Sequence, residues 1–586
     1  MSRKAGKTRK QTPTRQQQQD AAARRRAPAA GPAGRQPAVV SGDEGAGGSA
    51  AAAASDAATP ASAVRHYLDV SAVRIQEWLA RTPGLRSRRG GSVLLSEVTG
   101  RDAWPDERLP SGMAWNDEAG DLDGVVALVV QDTVADLPAC LSAAARDVAA
   151  ALRRTMPHCA IQAVTGSGDS YASAWHEMQR ARRDGDFVVD VPSAPVEAVL
   201  AKPCDDCRAA PAERHGIEIA ERAEPEDLCG ECADRIKAAG GTKGDRPSRS
   251  PRPQRRLKAA LSAAGMRVIE FPGEFRELAK SGTRDGDDAA TQLGLVYADG
   301  NRVGAFLTEA ARCARERGTP AKAEIVPALD GAAVAALADA VVTCFPGRSL
   351  LPVLVHVAGG DDLMVSVPAG DAWPFVCALL AAFGQRIDRA AGGWPEPVRD
   401  ALPSMSAGLV FHHQSAPFSD VVRLAKARLD EAKKATRGRA ASVAFLDLTA
   451  DGGQAPACRT ALTLTELSTD ADRLAQIAVI PHSHLQTLVA LHRRSAEDAL
   501  EAGSGGRGET PAQTLARRVT DLGYQPLLDA IAGPGAGGDD ARTALASPAK
   551  RDELRRVLDL ARWWPPPTTP AATGTAHPRV GEGVPV

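Results

Sequence analysis

Apolar runs of about strand length alternate along this chain with longer stretches whose apolar positions recur at helical spacing. That alternation predicts an α+β architecture. It is clearest between residues 291 and 450. LGLVYAD (Leu293 to Asp299) predicts a buried strand, and AFLTEAARCARER (Ala305 to Arg317) the helix after it. VLVHVAGG (Val353 to Gly360) and LMVSVP (Leu363 to Pro368) predict a tight hairpin with Gly359, Gly360, Asp361 and Asp362 at its turn. DAWPFVCALLAAF reads as a second helix and SAGLVFHH as a further strand. A long helix through Lys433 and the strand SVAFLDL (Ser442 to Leu448) complete a βαββαβ-like unit with additions.

A weaker copy of this plan runs from about Tyr67 to Val191. YLDVSAVRIQEWL and GVVALVVQD are its apolar runs, LPACLSAAARDVAAALRR is a helix, and AIQAVTGSGDS is a strand ending in a Gly-rich turn. After Gly453 the chain to Trp564 is mostly helical by periodicity, with LQTLVALHRR and RDELRRVLDLARWW as apolar-striped stretches.

Composition adds the tails and narrows the class. At 586 residues the chain has room for about four folded units. Before Tyr67 there is no Leu, Ile or aromatic residue, so residues 1–63 are expected to be disordered. The first forty residues carry ten Lys or Arg against the single acid Asp20, a basic tail suited at most to nonspecific nucleic-acid contact. Pro565, Pro566 and Pro567 open a second tail ending at Val586. Overall, 71 Lys plus Arg balance 72 Asp plus Glu, so any basic binding surface must be local. No apolar run is read as approaching the roughly 18 residues that cross a bilayer, and Met1 is followed by a polar, arginine-rich stretch, which predicts a soluble cytoplasmic protein.

Four of the ten cysteines, Cys204, Cys207, Cys229 and Cys232, form two CxxC pairs separated by a short polar loop containing His215. Each pair offers two thiolates from one turn, and together they satisfy a tetrahedral zinc site. With no position left for water, such a site is structural. Reduced, unliganded cysteines or a redox pair are the alternatives, and a lone redox CxxC would not need the second pair. His215 reads as a loop histidine.

The second constellation is acidic. Asp299 ends one buried strand, and Asp361 and Asp362 sit at the hairpin turn. If the strands Leu293–Asp299 and Val353–Gly360 are sheet neighbours, the three carboxylates converge at one edge. Divalent cations neutralise such a cluster, and a pair of Mg²⁺ ions is the usual clamp for in-line attack on phosphorus. Gly359 and Gly360 permit positive φ and close approach of a phosphate. Gly300, Asn301 and Gly304 form a second small-residue loop running into a helix N-terminus. A Gly-Gly-Asp-Asp turn alone is also ordinary hairpin chemistry. In RLAKARLDEAKKATRGR, Lys433, Lys434, Arg437 and Arg439 near a helix C-terminus are explained by the dipole, or one of them, Lys433, reaches a nucleotide's phosphates. His412 and His413 read as packing residues and not as bases.

These residues carry a family resemblance. YADGNRVGAFL, AGGDDLMVSVP, MSAGLVFHH and the AKARLDEAKKA helix resemble, in that order, the second palm domain of the large subunit of type III CRISPR-Cas effector complexes. VRIQEWLARTPGLRSRRGGSVLLSE is similar to the opening of that family's first palm, and the four-cysteine insert lies where the family carries its zinc element. The resemblance implies two ferredoxin-like palm domains of the nucleotide cyclase and polymerase type, a zinc insert and a helical C-terminal domain. It divides the chain into a first, degenerate palm (64–200), a zinc element (201–240), a helical linker (241–290), a catalytic palm (291–452) and a helical domain (453–564). It implies synthesis of cyclic oligoadenylate from ATP, with Asp299, Asp361 and Asp362 as catalytic Mg²⁺ (or Mn²⁺) ligands. Gly300, Asn301, Gly304, Gly359, Gly360 and Lys433 are then the nucleotide site. Guide RNA, target RNA and other effector subunits are the implied partners. A noncatalytic RNA-binding scaffold and a stand-alone cyclic (di)nucleotide synthase are the alternative readings. Many family members begin with a histidine-aspartate nuclease domain. No His-Asp pair occurs here, so no DNA cleavage is expected. The first palm offers only Gly166, Ser167, Gly168 and Asp169, and one acid cannot bind two metals.

Overall fold

The fold comes from a computed structural model. It describes residues 64–567 except 120–123, 191–200, 220–221, 223, 243–250, 268, 283–288, 318, 321, 457–458 and 501–509. The basic tail expected at 1–63, and all of the proline-rich tail beyond residue 567, lie outside the described residues.

Five strands form the first sheet: β1 (Arg65–Val73), β2 (Met113–Trp115), β3 (Val125–Val130), β4 (Ala160–Gly168) and β5 (Val188–Asp190), in the order β2-β3-β1-β4-β5. The stretch YLDVSAVRIQEWL is two elements. It breaks at Arg74, whose φ of 55° lies in the left-handed region, and Ile75–Ala80 is helical. Helices Leu85–Thr99 and Leu137–Thr155 supply the crossovers. Leu68, Val70, Val126, Leu128, Val148 and Leu152 are buried between sheet and helices.

A small sheet of β6 (Arg214–Ile217) and β7 (Glu226–Leu228) precedes the helix Gly230–Ala238, and the four cysteines gather there. This element is bolted to the first palm by a buried arginine. Arg235 lies over the Trp78 ring at 4.1 Å, donates to Trp78 O at 3.0 Å and pairs with Glu231 at 2.5 Å.

The second sheet contains β8 (Gln292–Gly300), β9 (Leu354–Gly359), β10 (Asp362–Pro368), β11 (Met405–His413), β12 (Ser442–Asp447) and β13 (Leu462–Thr463). Its order is β13-β12-β11-β8-β10-β9. The segment β11-β8-β10-β9 is the strand order of a βαββαβ unit, and β4-β1-β3-β2 repeats it in the first sheet. One expectation is corrected here. The strands β8 and β9 are not neighbours, because the hairpin returns β10 into the place between them.

Helices cover both faces of this sheet. On one face, Val296, Val365, Leu409 and Phe445 pack against the helices Lys322–Cys344 and Ala372–Ala390. The C-terminal helices join the same core: Trp564 lies 5.8 Å from Trp373, and Trp563 stacks on Phe411 at 5.5 Å. On the other face, Leu295, Tyr297, Met364 and Val410 meet the helix Phe418–Thr436. There the palms touch, with the Arg88 guanidinium 4.5 Å from the centre of the Phe418 ring.

The helix Lys322–Cys344 corrects a second expectation. Its stretch Glu324–Cys344, 21 residues of hydropathy 1.8, is long and apolar enough to cross a membrane by composition. Its Ala333, Ala336, Leu337, Ala340 and Val341 are instead buried in the palm core.

Candidate active site

The acidic edge follows from strand register. β10 pairs with β8 so that Leu363 faces Ala298, and one further antiparallel step sets Asp362 opposite Asp299. Side chains alternate across a strand, so Asp299 shares a face with Tyr297 and Leu295, and Asp362 with Met364. That is the face beneath the helix Phe418–Thr436. Gly359 pairs with Asp362, which leaves Gly360 and Asp361 as a two-residue turn. Gly360 has φ 62°, as a residue leading such a turn requires.

The structure brings Asp299, Asp361, Asp362, Gly300 and Lys433 together. Lys433 Nζ forms an ion pair with Asp299 Oδ2 and donates to the carbonyl of Gly300 at 2.9 Å. A Cβ on Gly300 would lie 2.7 Å from Asp361 Oδ2, so only glycine lets the turn close over the end of β8. Loss of surrounding water, with Asp299 beside it and Asp362 next in the chain, pushes the Asp361 carboxyl up to about 7. Asp362 is pushed up to about 6 by loss of water and by the Asp299 charge, against the pull of Lys433 and Lys426. Asp362 keeps exposed surface, so Asp361 is the more firmly perturbed of the two. Such shifts mark a carboxylate cluster held together without enough positive charge.

The other expected residues differ in their surroundings. Asn301 is buried, and its amide donates to Ser404 Oγ at 2.8 Å, Ser406 Oγ at 2.9 Å and Ala440 O at 3.2 Å. Its backbone N–H is taken by Ser404 O at 2.7 Å. Asn301 therefore ties β8 to β11 through its amide nitrogen, while its Oδ1 is buried without a partner. Gly304 and Gly359 have open space where a Cβ would stand. His412 is buried, its Nδ1 donates to His413 O at 2.9 Å, and burial lowers it to about 4, as a packing residue. In the first palm, Asp169 accepts from Ser173 Oγ at 2.6 Å at the start of the helix Tyr171–Asp184. Gly166 there sits where a Cβ would be 2.4 Å from Ala174 O, which is close packing.

Three residues at the site escape the sequence reading. Asp330 Oδ1 accepts the Gly360 N–H at 2.8 Å and so anchors the turn. Arg256 pairs with Asp330 and donates to Ala358 O at 2.8 Å, bracing the same hairpin. Asp330 is one of three acids in the mostly apolar helix Lys322–Cys344, and nothing in the pattern sets it apart from Glu324 and Asp339. Lys426 lies seven residues before Lys433, two helical turns away on one face, and that spacing was legible.

The four cysteine sulfurs all lie within 4.8 Å of one another, with Cys204, Cys229 and Cys232 buried. They are the only group of three or more His, Cys, Asp or Glu ligands that close among the described residues. His215 stands apart, 3.3 Å from Asp227. The cluster can hold one metal ion with four thiolates.

An acidic strand end and an acidic hairpin turn meeting on a βαββαβ sheet define a palm domain of the nucleotide cyclase and polymerase type. Residues 292–442 match the second palm domain of the Cas10/Cmr2 family, so this part of the chain is a palm of that kind. No curated protein matches it in sequence. Among solved structures, a Csm1-Csm4 cassette in complex with cA4 is 13% identical, covering 85% of this chain and 70% of that one, with a TM-score of 0.44. A Csm1-Csm4 cassette in complex with AMPPNP is 14% identical, covering 85% and 69%, with a TM-score of 0.44. The apo state of a type III-B Cmr-beta complex is 10% identical, covering 78% and 77%, with a TM-score of 0.40.

Proposed function

We propose that the second palm is a nucleotidyltransferase that joins ATP into cyclic oligoadenylate, within a cytoplasmic type III CRISPR effector complex of antiviral defence. The observation that carries the reading is the placing of Asp299 opposite Asp362 at one sheet edge, with Asp361 on the adjoining turn and the Lys433 ammonium paired to Asp299. An ammonium already rests on Asp299 Oδ2 and Gly300 O, and hard oxygen donors are what Mg²⁺ or Mn²⁺ takes. Asp299, Asp361 and Asp362 are the residues that would hold it. When bound there, the ions supply charge neutralisation for attack of a ribose hydroxyl on the α-phosphorus and departure of pyrophosphate.

The chain's own residues position the reactants. Lys433 binds the triphosphate, the open Gly304 lets phosphate approach a helix N-terminus, and Asp330 fixes the acidic turn through Gly360 N–H. The four cysteines hold structural Zn²⁺. Guide RNA, target RNA and the other effector subunits are the partners, and the first palm, whose Asp169 accepts hydrogen bonds from the hydroxyls of Ser170 and Ser173, is the noncatalytic half of the pair.

The purified chain should be incubated with each nucleoside triphosphate and Mg²⁺, with and without associated RNA, and the products identified by mass. Cyclic oligoadenylate that disappears in Asp361→Ala/Asp362→Ala, with zinc content and fold retained, supports the assignment. A double variant that still makes oligonucleotides overturns it, and a wild type that turns over no nucleotide in any condition leaves a scaffold.

A further inference from the structure

The contacts of Lys433 have a second meaning. Its ammonium rests on one carboxylate oxygen, Asp299 Oδ2, and on the backbone carbonyl of the next residue, Gly300, at 2.9 Å. Asp361 presses against Gly300 from the turn, and Asp362 lies opposite Asp299 in the sheet. The carboxylate and carbonyl that hold the amine, with Asp362 across the sheet and Asp361 on the turn beside them, are the hard oxygen donors that a divalent cation takes. Lysine suits this part. Its charge is compact and sits on a flexible four-carbon stem, so the ammonium can leave without moving the helix, which Leu429 and Ala432 hold in the core.

We propose that Lys433 is a resident counter-ion that occupies the cation position until a triphosphate draws it away, so that divalent cation and nucleotide enter together. The inference rests on the carboxylate site proposed above. An ammonium paired with Asp299 competes with any cation for the same oxygens. Cation alone therefore binds weakly, because it must displace an attached competitor and leave that charge without a partner. A triphosphate offers the ammonium a new partner, and the oxygens are freed. The two ligands are then positively coupled, and coupling of this kind is reciprocal: cation tightens nucleotide as nucleotide tightens cation. The arrangement guards an acidic site against filling by cation when no substrate is present.

The test measures Mn²⁺ binding by the loss of the free-ion electron paramagnetic resonance signal, using the zinc-loaded full chain. Wild type, Lys433→Met and Lys433→Arg are compared without nucleotide and with α,β-methylene ATP. Methionine keeps the unbranched stem, one atom shorter, and removes the charge, whereas arginine keeps the charge. Lys433→Met is expected to bind Mn²⁺ about tenfold tighter than wild type without nucleotide, and to gain little from the analogue. Wild type is expected to bind weakly alone and at least tenfold tighter with the analogue, and Lys433→Arg should remain weak alone. Equal Mn²⁺ affinity of wild type and Lys433→Met without nucleotide overturns the counter-ion role. Adding Asp361→Asn and Asp362→Asn to Lys433→Met separates this from the underlying site. If binding persists undiminished there, the carboxylates are not the cation ligands and both readings fall. If it is lost while wild type and Lys433→Met still bind alike, only the counter-ion role falls.

Discussion

Gly408 is where sheet packing and the proposed chemistry meet. It lies on β11 under the helix Phe418–Thr436, and a Cβ there would stand 2.0 Å from Ala425 O and 2.5 Å from Leu429 N. The first distance is about 1.4 Å short of ordinary contact. Both obstacles are backbone atoms, so no rotamer change relieves Gly408→Ala, and the helix must retreat from the sheet by about an ångström. Overpacking of this kind costs about 1–3 kcal/mol. Each kcal/mol lowers Tm by roughly 2–4 °C in a unit of this size. The cost extends to function. Lys433 is eight residues beyond Ala425, about 12 Å along the same rigid helix, so the retreat shifts the helix face that is proposed to meet the triphosphate relative to the acidic edge. A misplacement near 1 Å at a reacting centre costs about 10²-fold in rate. Differential scanning calorimetry and labelled-ATP turnover, run side by side, should show both losses. A Gly408→Ala protein with wild-type Tm and wild-type turnover would refute the reasoning, because the helix would then not be seated as described.

The companion variant Gly304→Ala meets no atom within 4 Å, so it should leave Tm unchanged and weaken ATP binding several-fold, read as a rise in KM. Asp361, raised to about 7, contributes stability below its unfolded value near 4 and loses it as pH climbs through 7. In EDTA, Asp361→Asn should therefore gain on wild type between pH 5 and 8, by about 1 kcal/mol at pH 8 after solvent screening. Wild-type turnover should rise over the same window as the carboxyls ionise. Metal analysis should find one zinc per chain held by Cys204, Cys207, Cys229 and Cys232, and Cys229→Ser with Cys232→Ser should abolish it and lower the Tm of the first palm. Arg235→Met removes the buried partner of Glu231 and the cation over Trp78, and should cost about 3–5 kcal/mol in chemical denaturation.

The parts of this site that rest on local pattern were legible. The β9–β10 hairpin announces itself by Gly359 and Gly360 between two apolar runs, and the helix carrying Lys433 by its period. What depends on strand order was not. Placing β9 beside β8 follows from chain order, yet the hairpin interposes β10, and the three acids still meet because Asp362 begins β10 and not because β9 is adjacent. Asn301 reads as a phosphate-loop residue because its neighbours are small. Only the pairing of β8 with β11 reveals that Ser404 and Ser406 claim its side chain. Asp330 and Arg256 come from distant segments and act on a backbone N–H and a carbonyl, which no residue pattern displays. The helix Lys322–Cys344 is apolar nearly all round, so it lacks the one-sided stripe that marks a surface helix. Likewise the C-terminal tryptophans look like the end of a separate helical domain until Trp563 and Trp564 are seen against Phe411 and Trp373.

The measurement that bears most directly on the second palm as an enzyme is the balance between pyrophosphate released and adenylate incorporated from ATP. The account predicts one pyrophosphate for each adenylate in a product without terminal phosphates, and none of either once Asp361 and Asp362 are alanine. Release of orthophosphate in place of pyrophosphate, or an unchanged yield from the double alanine variant, would contradict it.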